Sequence, residues 1–174
     1  MQRVPIFKTI LIQPDWKQFV INELPLLLLC PVGLVYAGLD EMPFRCIVLV
    51  VTIILSLCLL YRLLYLKRMK FLVGSEQLVI EQGIFQRKVD YVELYRIVDF
   101  NVHQTLMQQI FGLKTISIYS GDRTTPKIDI IGAKAKLDYV SEIRARVITS
   151  RKNNGIYEIT NRYNTIDYYD VSRH

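Results

Sequence analysis

Leu24-Pro-Leu-Leu-Leu-Leu-Cys-Pro-Val-Gly-Leu-Val-Tyr-Ala-Gly-Leu39 and Cys46-Ile-Val-Leu-Val-Val-Thr-Ile-Ile-Leu-Ser-Leu-Cys-Leu-Leu60 are two apolar runs without a charged residue. A short connection holding Asp40, Glu41, Pro43 and Arg45 separates them. With their flanks, Phe19 to Ile21 before the first and Tyr61 to Leu66 after the second, each reaches the roughly 20 residues needed to cross about 30 Å of hydrocarbon. The flanks include Asn22, Glu23 and Arg62, which belong at the headgroup level. Backbone polar groups in lipid must be satisfied within the segment, and a tight helical hairpin does this. The reading is therefore a transmembrane hairpin over 19–66, preceded by an N-terminal interfacial segment over 1–18.

Outward from the hairpin, the charges set an orientation. Arg3, Lys8 and Lys17 precede the first run and Arg62, Lys67, Arg68 and Lys70 follow the second, whereas the connection carries Asp40, Glu41 and only Arg45. Basic flanks stay on the cytoplasmic side, so both termini are expected there. The first run begins late, is interrupted by Pro25 and Pro31 and has no small-residue cleavage site, which argues against a cleaved signal peptide. Trp16, the only tryptophan, precedes the first span and reads as an interfacial anchor, its ring buried and its N–H wet. Pro31 is expected to kink the first helix.

The chain carries 22 Lys plus Arg against 16 Asp plus Glu, a formal charge of +6. Beside a hairpin, an anionic membrane explains this excess more economically than nucleic acid, for which no reading element is present. Lys67, Arg68 and Lys70 would lie against headgroups, each contributing on the order of 1 kcal/mol. Cys30, Cys46 and Cys58 all fall in or beside the spans and read as small packing residues, with no Cys-x-x-Cys pair.

Beyond Met69 the composition is that of one small soluble domain, 69–152, with a single core. Short alternating pieces read as strands: Gln77 to Gln82, a turn at Gly83, Ile84 to Leu94, Ile97 to His103, Thr115 to Ser120, and Lys127 to Ile131 after a polar turn from Gly121 to Pro126. Thr105 to Phe111, with Leu106, Met107, Ile110 and Phe111 at helical spacing, predicts a short helix stopping at Gly112. Ala133 to Arg151 predicts a full amphipathic helix with Leu137, Val140, Ile143, Val147 and Ile148 on one stripe. An antiparallel meander closed by one helix follows. The polar, tyrosine-rich 153–174 is expected to be a flexible tail.

Enzymatic signatures are missing. His103 and His174 are far apart and have no nucleophile motif nearby. Glu81 and Asp90 flank a hairpin, and a general acid and base would need them in one cleft. Gly112, Gly121 and Gly132 are isolated and form no phosphate loop. No catalytic residue, metal site, cofactor or small-molecule substrate is expected. Two basic clusters remain as candidate headgroup contacts, Arg87 with Lys88 and Arg123 with Lys127, beside Lys67, Arg68 and Lys70.

The order of these pieces is similar to a known family. The hairpin, then Leu78-Val-Ile-Glu-Gln-Gly-Ile-Phe85, Val92-Glu-Leu-Tyr-Arg-Ile97 and Gln104-Thr-Leu-Met-Gln-Gln-Ile-Phe-Gly112 with Leu113, resembles the membrane-flanked bacterial PH-like proteins of the YdbS type. The resemblance reaches to about Arg151. It implies an α+β membrane protein of the bacterial inner membrane, in which a transmembrane hairpin is followed by a PH-like antiparallel β-barrel or sandwich capped by a C-terminal helix. The function expected is a non-enzymatic interaction or assembly module at the cytoplasmic face. Its partners would be the bilayer and a second copy or a related membrane-flanked PH-like protein. The alternatives are an anionic-lipid headgroup sensor and a component of a membrane transport or stress-resistance complex.

Overall fold

In the computed structural model, which describes residues 7–39 and 43–156, the first regular element is a three-residue strand, β1 (Ile10–Ile12). Its hydrogen-bonding partner lies beyond both apolar helices. Ile10, Leu11 and Ile12 pair antiparallel with Val73, Leu72 and Phe71 of β2 (Lys70–Val73). Between them stand α1 (Trp16–Ala37) and α2 (Arg45–Arg68). The segment expected as an interfacial lead-in, 1–18, thus contributes to the core in its described part, where Ile12 is buried. The segments expected as the acidic connection, Asp40 and Glu41, and most of the tail, 157–174, lie outside the described residues, as does His174.

α1 begins where Asp15 accepts a hydrogen bond from the Lys17 backbone N–H at 3.1 Å, an N-cap. Pro25 and Pro31 both lie inside this 22-residue helix. α2 has 24 residues and ends on Lys67 and Arg68, where the carbonyl end of the helix dipole favours cations. At 1.5 Å per residue the two helices are about 33 and 36 Å long. Both are long and apolar enough to cross a membrane, and little of either is buried. They pack on each other where Gly33 meets Thr52: a Cβ at position 33 would overlap the Thr52 side chain, so glycine permits the close approach. Tyr36 donates to the Pro43 carbonyl at 3.0 Å near one end, and Arg62 pairs with Glu23 toward the other.

The remaining strands are β3 (Gln77–Gln82), β4 (Lys88–Glu93), β5 (Ile97–His103), β6 (Leu113–Ser120) and β7 (Lys127–Lys134). They form an antiparallel four-stranded sheet, β1-β2-β3-β4, and an antiparallel three-stranded sheet, β5-β6-β7. A 3-10 turn, Leu94–Arg96, joins the sheets. Inward-facing side chains of both, among them Phe71, Leu78, Val92, Ile97, Ile116 and Ile130, make one core. The last helix, α4 (Tyr139–Asn153), closes it with Ile143 and Val147.

Two boundaries differ most from the sequence reading. The expected strand Ile84 to Leu94 begins only at Lys88, because Gly83 sits at φ 106° and turns the chain through 84–87. The expected helix from Ala133 begins only at Tyr139. Gly132, at φ 73°, lies inside β7 rather than ahead of a helix, and Asp138 supplies the N-cap by accepting from the Ser141 N–H at 3.2 Å. Leu137 and Ile148 are accordingly exposed, and the buried stripe is carried by Ile143 and Val147, with Arg146 and Ser150.

Gly132 marks the seam between hairpin and sheets. Its carbonyl accepts from the Asp15 N–H at 3.1 Å, and a Cβ there would come within 2.8 Å of the Gln18 side chain. Gly132→Ala combines that overlap with a left-handed backbone costing about 1–2 kcal/mol for a residue with a Cβ. The expected outcome is a lowered melting temperature of the detergent-purified chain, whereas Gly112→Ala, with open space around it, meets the backbone cost alone. The Asp138 carboxyl is held below its usual range, chiefly by the Ser141 hydroxyl and then by the Ser141 N–H. A depressed carboxyl supports the fold above its unfolded pKa, about 3.9. That support is lost as pH falls through the folded value. Asp138→Asn should therefore flatten the fall of melting temperature measured below about pH 4.

Candidate functional site

The two joints between hairpin and sheets are short. Gln13, Pro14 and Asp15 lead from β1 to α1, and Met69 alone leads from α2 to β2. Sheet register then decides which loops share the hairpin end of the domain. Lys70 lies opposite Glu81 and Gln82 opposite Lys88, so the β3–β4 turn, 83–87, stands beside the foot of α2. The helix α3 (Leu106–Phe111) stands beside the foot of α1, where the Gln108 amide donates to Gln18 at 2.8 Å. The Ala135 N–H donates to the Gly112 carbonyl, placing 135–138 at the same end. The opposite end carries Gly74 to Glu76, Leu94 to Arg96 and Gly121 to Pro126, tied by Leu94 N–H to the Glu76 carbonyl and Gly121 N–H to the Arg96 carbonyl, each 2.8 Å.

This geometry sorts the seven candidate cations. Lys67 and Arg68 end α2, and Lys70 opens β2. Arg68, Lys70 and Arg87 line one recess of about 190 Å³ together with Glu81, Gln82, Gly83 and Ile84. Arg87 pairs with Glu81 at 2.8 Å, so one carboxylate offsets part of the charge while leaving the recess net positive. Lys88 pairs with Asp90 at 2.8 Å on β4. Arg123 and Lys127 belong to the opposite end. Lys127 pairs with Asp129 at 3.1 Å, which raises the ammonium's pKa, and Asp129 also accepts from the Ser117 hydroxyl at 2.6 Å. Asp122 organises the turn around Arg123, accepting from the Thr124 hydroxyl and the Arg123 N–H and pairing with Arg96 at 3.0 Å. Its carboxyl is lowered chiefly by Thr124. The two basic clusters therefore cannot close on one ligand.

The recess suits an anion small enough for its opening. Arg68 and Arg87 offer planar donor forks, Lys70 a point charge, and Gln82 an amide. Glu81 entered the sequence reading only beside Asp90 as a carboxylate pair, and Gln82, Gly83 and Ile84 were not singled out as site residues. The local signal was Gly83, whose turn brings Arg87 back across from Glu81. Trp16, on the first turn of α1, is 58% exposed.

Catalytic geometry is poor where the sequence left it open. Ile80 faces Asp90 and Glu81 faces Val89, so strand alternation puts the two carboxylates on opposite sheet faces. Each has its own cation. Among the described residues no three His, Cys, Asp or Glu side chains gather as metal ligands.

Two antiparallel sheets around one core, closed by a C-terminal helix, are the architecture of a PH-like domain, a class of interaction modules. The family model of the bacterial PH domain matches residues 24–154, and the chain belongs to that family. The match takes in most of α1, all of α2 and every strand except β1, so helices and sheets form one family unit. Neither the curated proteins nor the solved structures compared with it gave a match.

The Arg87–Glu81 pair is largely exposed on its arginine side, and such pairs contribute about 0–1 kcal/mol. Arg87→Ala should leave the melting temperature nearly unchanged. Gln108→Leu should lower it clearly, because the Gln18 carbonyl oxygen and the Thr115 hydroxyl lose their partner inside the protein, at about 1–3 kcal/mol. Parallel thermal melts of the two variants check the contrast.

Proposed function

We propose that this chain is a membrane-anchored, non-enzymatic PH-like interaction module. Its hairpin crosses the bacterial inner membrane twice, and its domain is held at the cytoplasmic face with both termini on that side. The observation that carries the reading is the pairing of β1 with β2. One strand precedes α1 and the other follows α2, so both flanks of the hairpin must lie on one side of any membrane it enters. Two crossings satisfy this and a single crossing does not. The basic residues Lys17, Arg62, Lys67, Arg68 and Lys70 at that end, against a connecting sequence that carries Asp40, Glu41 and only Arg45, favour the cytoplasmic side.

Two short joints also fix the domain's attitude. A module tethered in this way presents the same surface to every neighbour in the plane, and tethering raises the local concentration of partners. The surface best suited to a partner is the outer edge of β5, which pairs on one side only, with β6, and exposes Val98 and Val102. Strand addition along such an edge uses backbone hydrogen bonds. The partner proposed is a second copy or a related membrane-flanked PH-like protein. A chain carrying Asn101→Cys, with Cys30, Cys46 and Cys58 changed to Ala, should give a disulfide-linked dimer or a defined mixed disulfide on oxidation in native membranes. Absence of any protein adduct would sink this reading.

A second reading has its own observation, the recess of Arg68, Lys70 and Arg87 at the foot of α2. There an anionic lipid headgroup would sit beside the span. Lys70→Glu with Arg87→Glu should abolish retention of phosphatidylglycerol by the purified full chain in native mass spectrometry. Unchanged retention would remove the headgroup site and leave the interaction module standing.

A further inference from the structure

α3 is built inside out for a helix on a soluble domain. Its one buried side chain is Gln108, 2% exposed, whereas Leu106 and Ile110 are 77% and 75% exposed and Met107 and Phe111 are only partly covered. No charged residue occurs from Gln104 to Leu113. The helix is nevertheless firmly set. Thr105 and Gln108 form a reciprocal capping box, Gly112 closes the helix in the left-handed region, and the Gln108 amide donates to both Gln18 and Thr115. Strong local order with apolar side chains pointing outward marks a surface that meets something apolar.

A second apolar projection stands at the same end. Phe85, at the tip of the β3–β4 turn, is 91% exposed apart from its stack on Tyr61 of α2, with ring centroids 6.2 Å apart and planes 12° from parallel. Tyr61 lies seven residues before Arg68, the end of α2, or about 10 Å along the helix. The turn therefore reaches down beside the hairpin rather than away from it. The loops at the opposite end, Gly74-Ser-Glu76 and Gly121-Asp-Arg-Thr-Thr-Pro126, are polar.

We infer that α3 and the Phe85 turn are feet that enter the boundary between headgroups and acyl chains of the same bilayer the hairpin spans. The inference rests on the spanning reading and adds a depth to it. The Glu23–Arg62 ion pair marks the inner limit, because a charged pair is costly further into hydrocarbon. From Trp16 to Glu23 is about 10 Å of helix, comparable to the roughly 5–8 Å of headgroup region on each side of the hydrocarbon. Gln18, which holds α3, lies within that layer, and Phe85 reaches it from the other helix. The occupant of the apolar face is thus lipid, continuous with the lipid around α1 and α2.

The test uses the full chain in vesicles of phosphatidylcholine and phosphatidylglycerol, with Trp16→Phe removing the native fluorophore. A single tryptophan is then introduced as Ile110→Trp, Phe85→Trp, Val50→Trp or Thr124→Trp. Ile110→Trp and Phe85→Trp should each lose most of their emission when the lipids are brominated near the top of the acyl chain, and little to aqueous iodide. Val50→Trp should be quenched by bromine deep in the chain, and Thr124→Trp by iodide only. Quenching of Val50→Trp with iodide quenching of both feet overturns the inference and spares the span. Protection of Ile110→Trp from both quenchers means a protein covers α3 and also overturns it. Failure of Val50→Trp to report lipid removes the spanning reading itself. The two foot variants occupy separate elements, so misfolding of one leaves the other to decide.

Discussion

Three residues of backbone pairing, Ile10–Ile12 against Phe71–Val73, are the constraint on which the rest of the structure depends. Without them β2 would be an open sheet edge and Phe71 and Val73, both buried, would lose a neighbouring strand. With them the apolar hairpin becomes the connection between two adjacent strands. An antiparallel pair is ordinarily joined by a few residues. Here the joint is two helices of 22 and 24 residues. The close approach of Gly33 to Thr52 keeps the two helices together far from that joint.

Polar contacts at the seam complete what the strand pairing begins. Gln18, 3% exposed, is bonded to Asn22 along its own helix and to Gln108 on α3, and Gln108 is bonded onward to Thr115 on β6. Each member is satisfied, which is the condition under which a buried polar chain orders a structure rather than weakening it. Gly132 stands beside Gln18 for a steric reason, and its carbonyl holds the start of α1. The hairpin and the sheets are therefore one packed body at this end, in keeping with a family match that runs through both.

Much of this was legible in the residues. The two apolar runs announce their helices, Gln77 to Gln82 is β3 to the residue, and Thr105 to Gly112 contains both caps of α3. What was hidden has a common physical cause, dependence on distant partners. β1 is three residues long, and nothing local distinguishes it from the lead-in to a span until Phe71–Val73 is placed beside it. Gly132 looks like a helix boundary from sequence, and only the approach of Gln18 shows why a glycine is needed within a strand. The apolar spacing of α3 was read correctly as helical, but the spacing alone does not say that its apolar side points away from the core. Arg87 and Arg123 are equivalent as sequence and become different once register puts one beside α2 and the other at the far end.

The placement of β1 also imposes a timetable. Ile10–Ile12 leave the ribosome before either apolar helix, yet β2, their strand partner, is made after both. The first strand must wait, unpaired, through the synthesis and packing of the whole hairpin. Arg146 extends the delay: it donates to the Lys8 carbonyl at 2.9 Å and sits over the Phe7 ring, so the first described residues are held by α4, the last described helix. The domain is therefore discontinuous along the chain, and a fragment starting at Met69 lacks a wall of its own core. Hairpin and sheets share β1 and the seam at Gln18, so the sheets gain their full core only once the whole hairpin has been made.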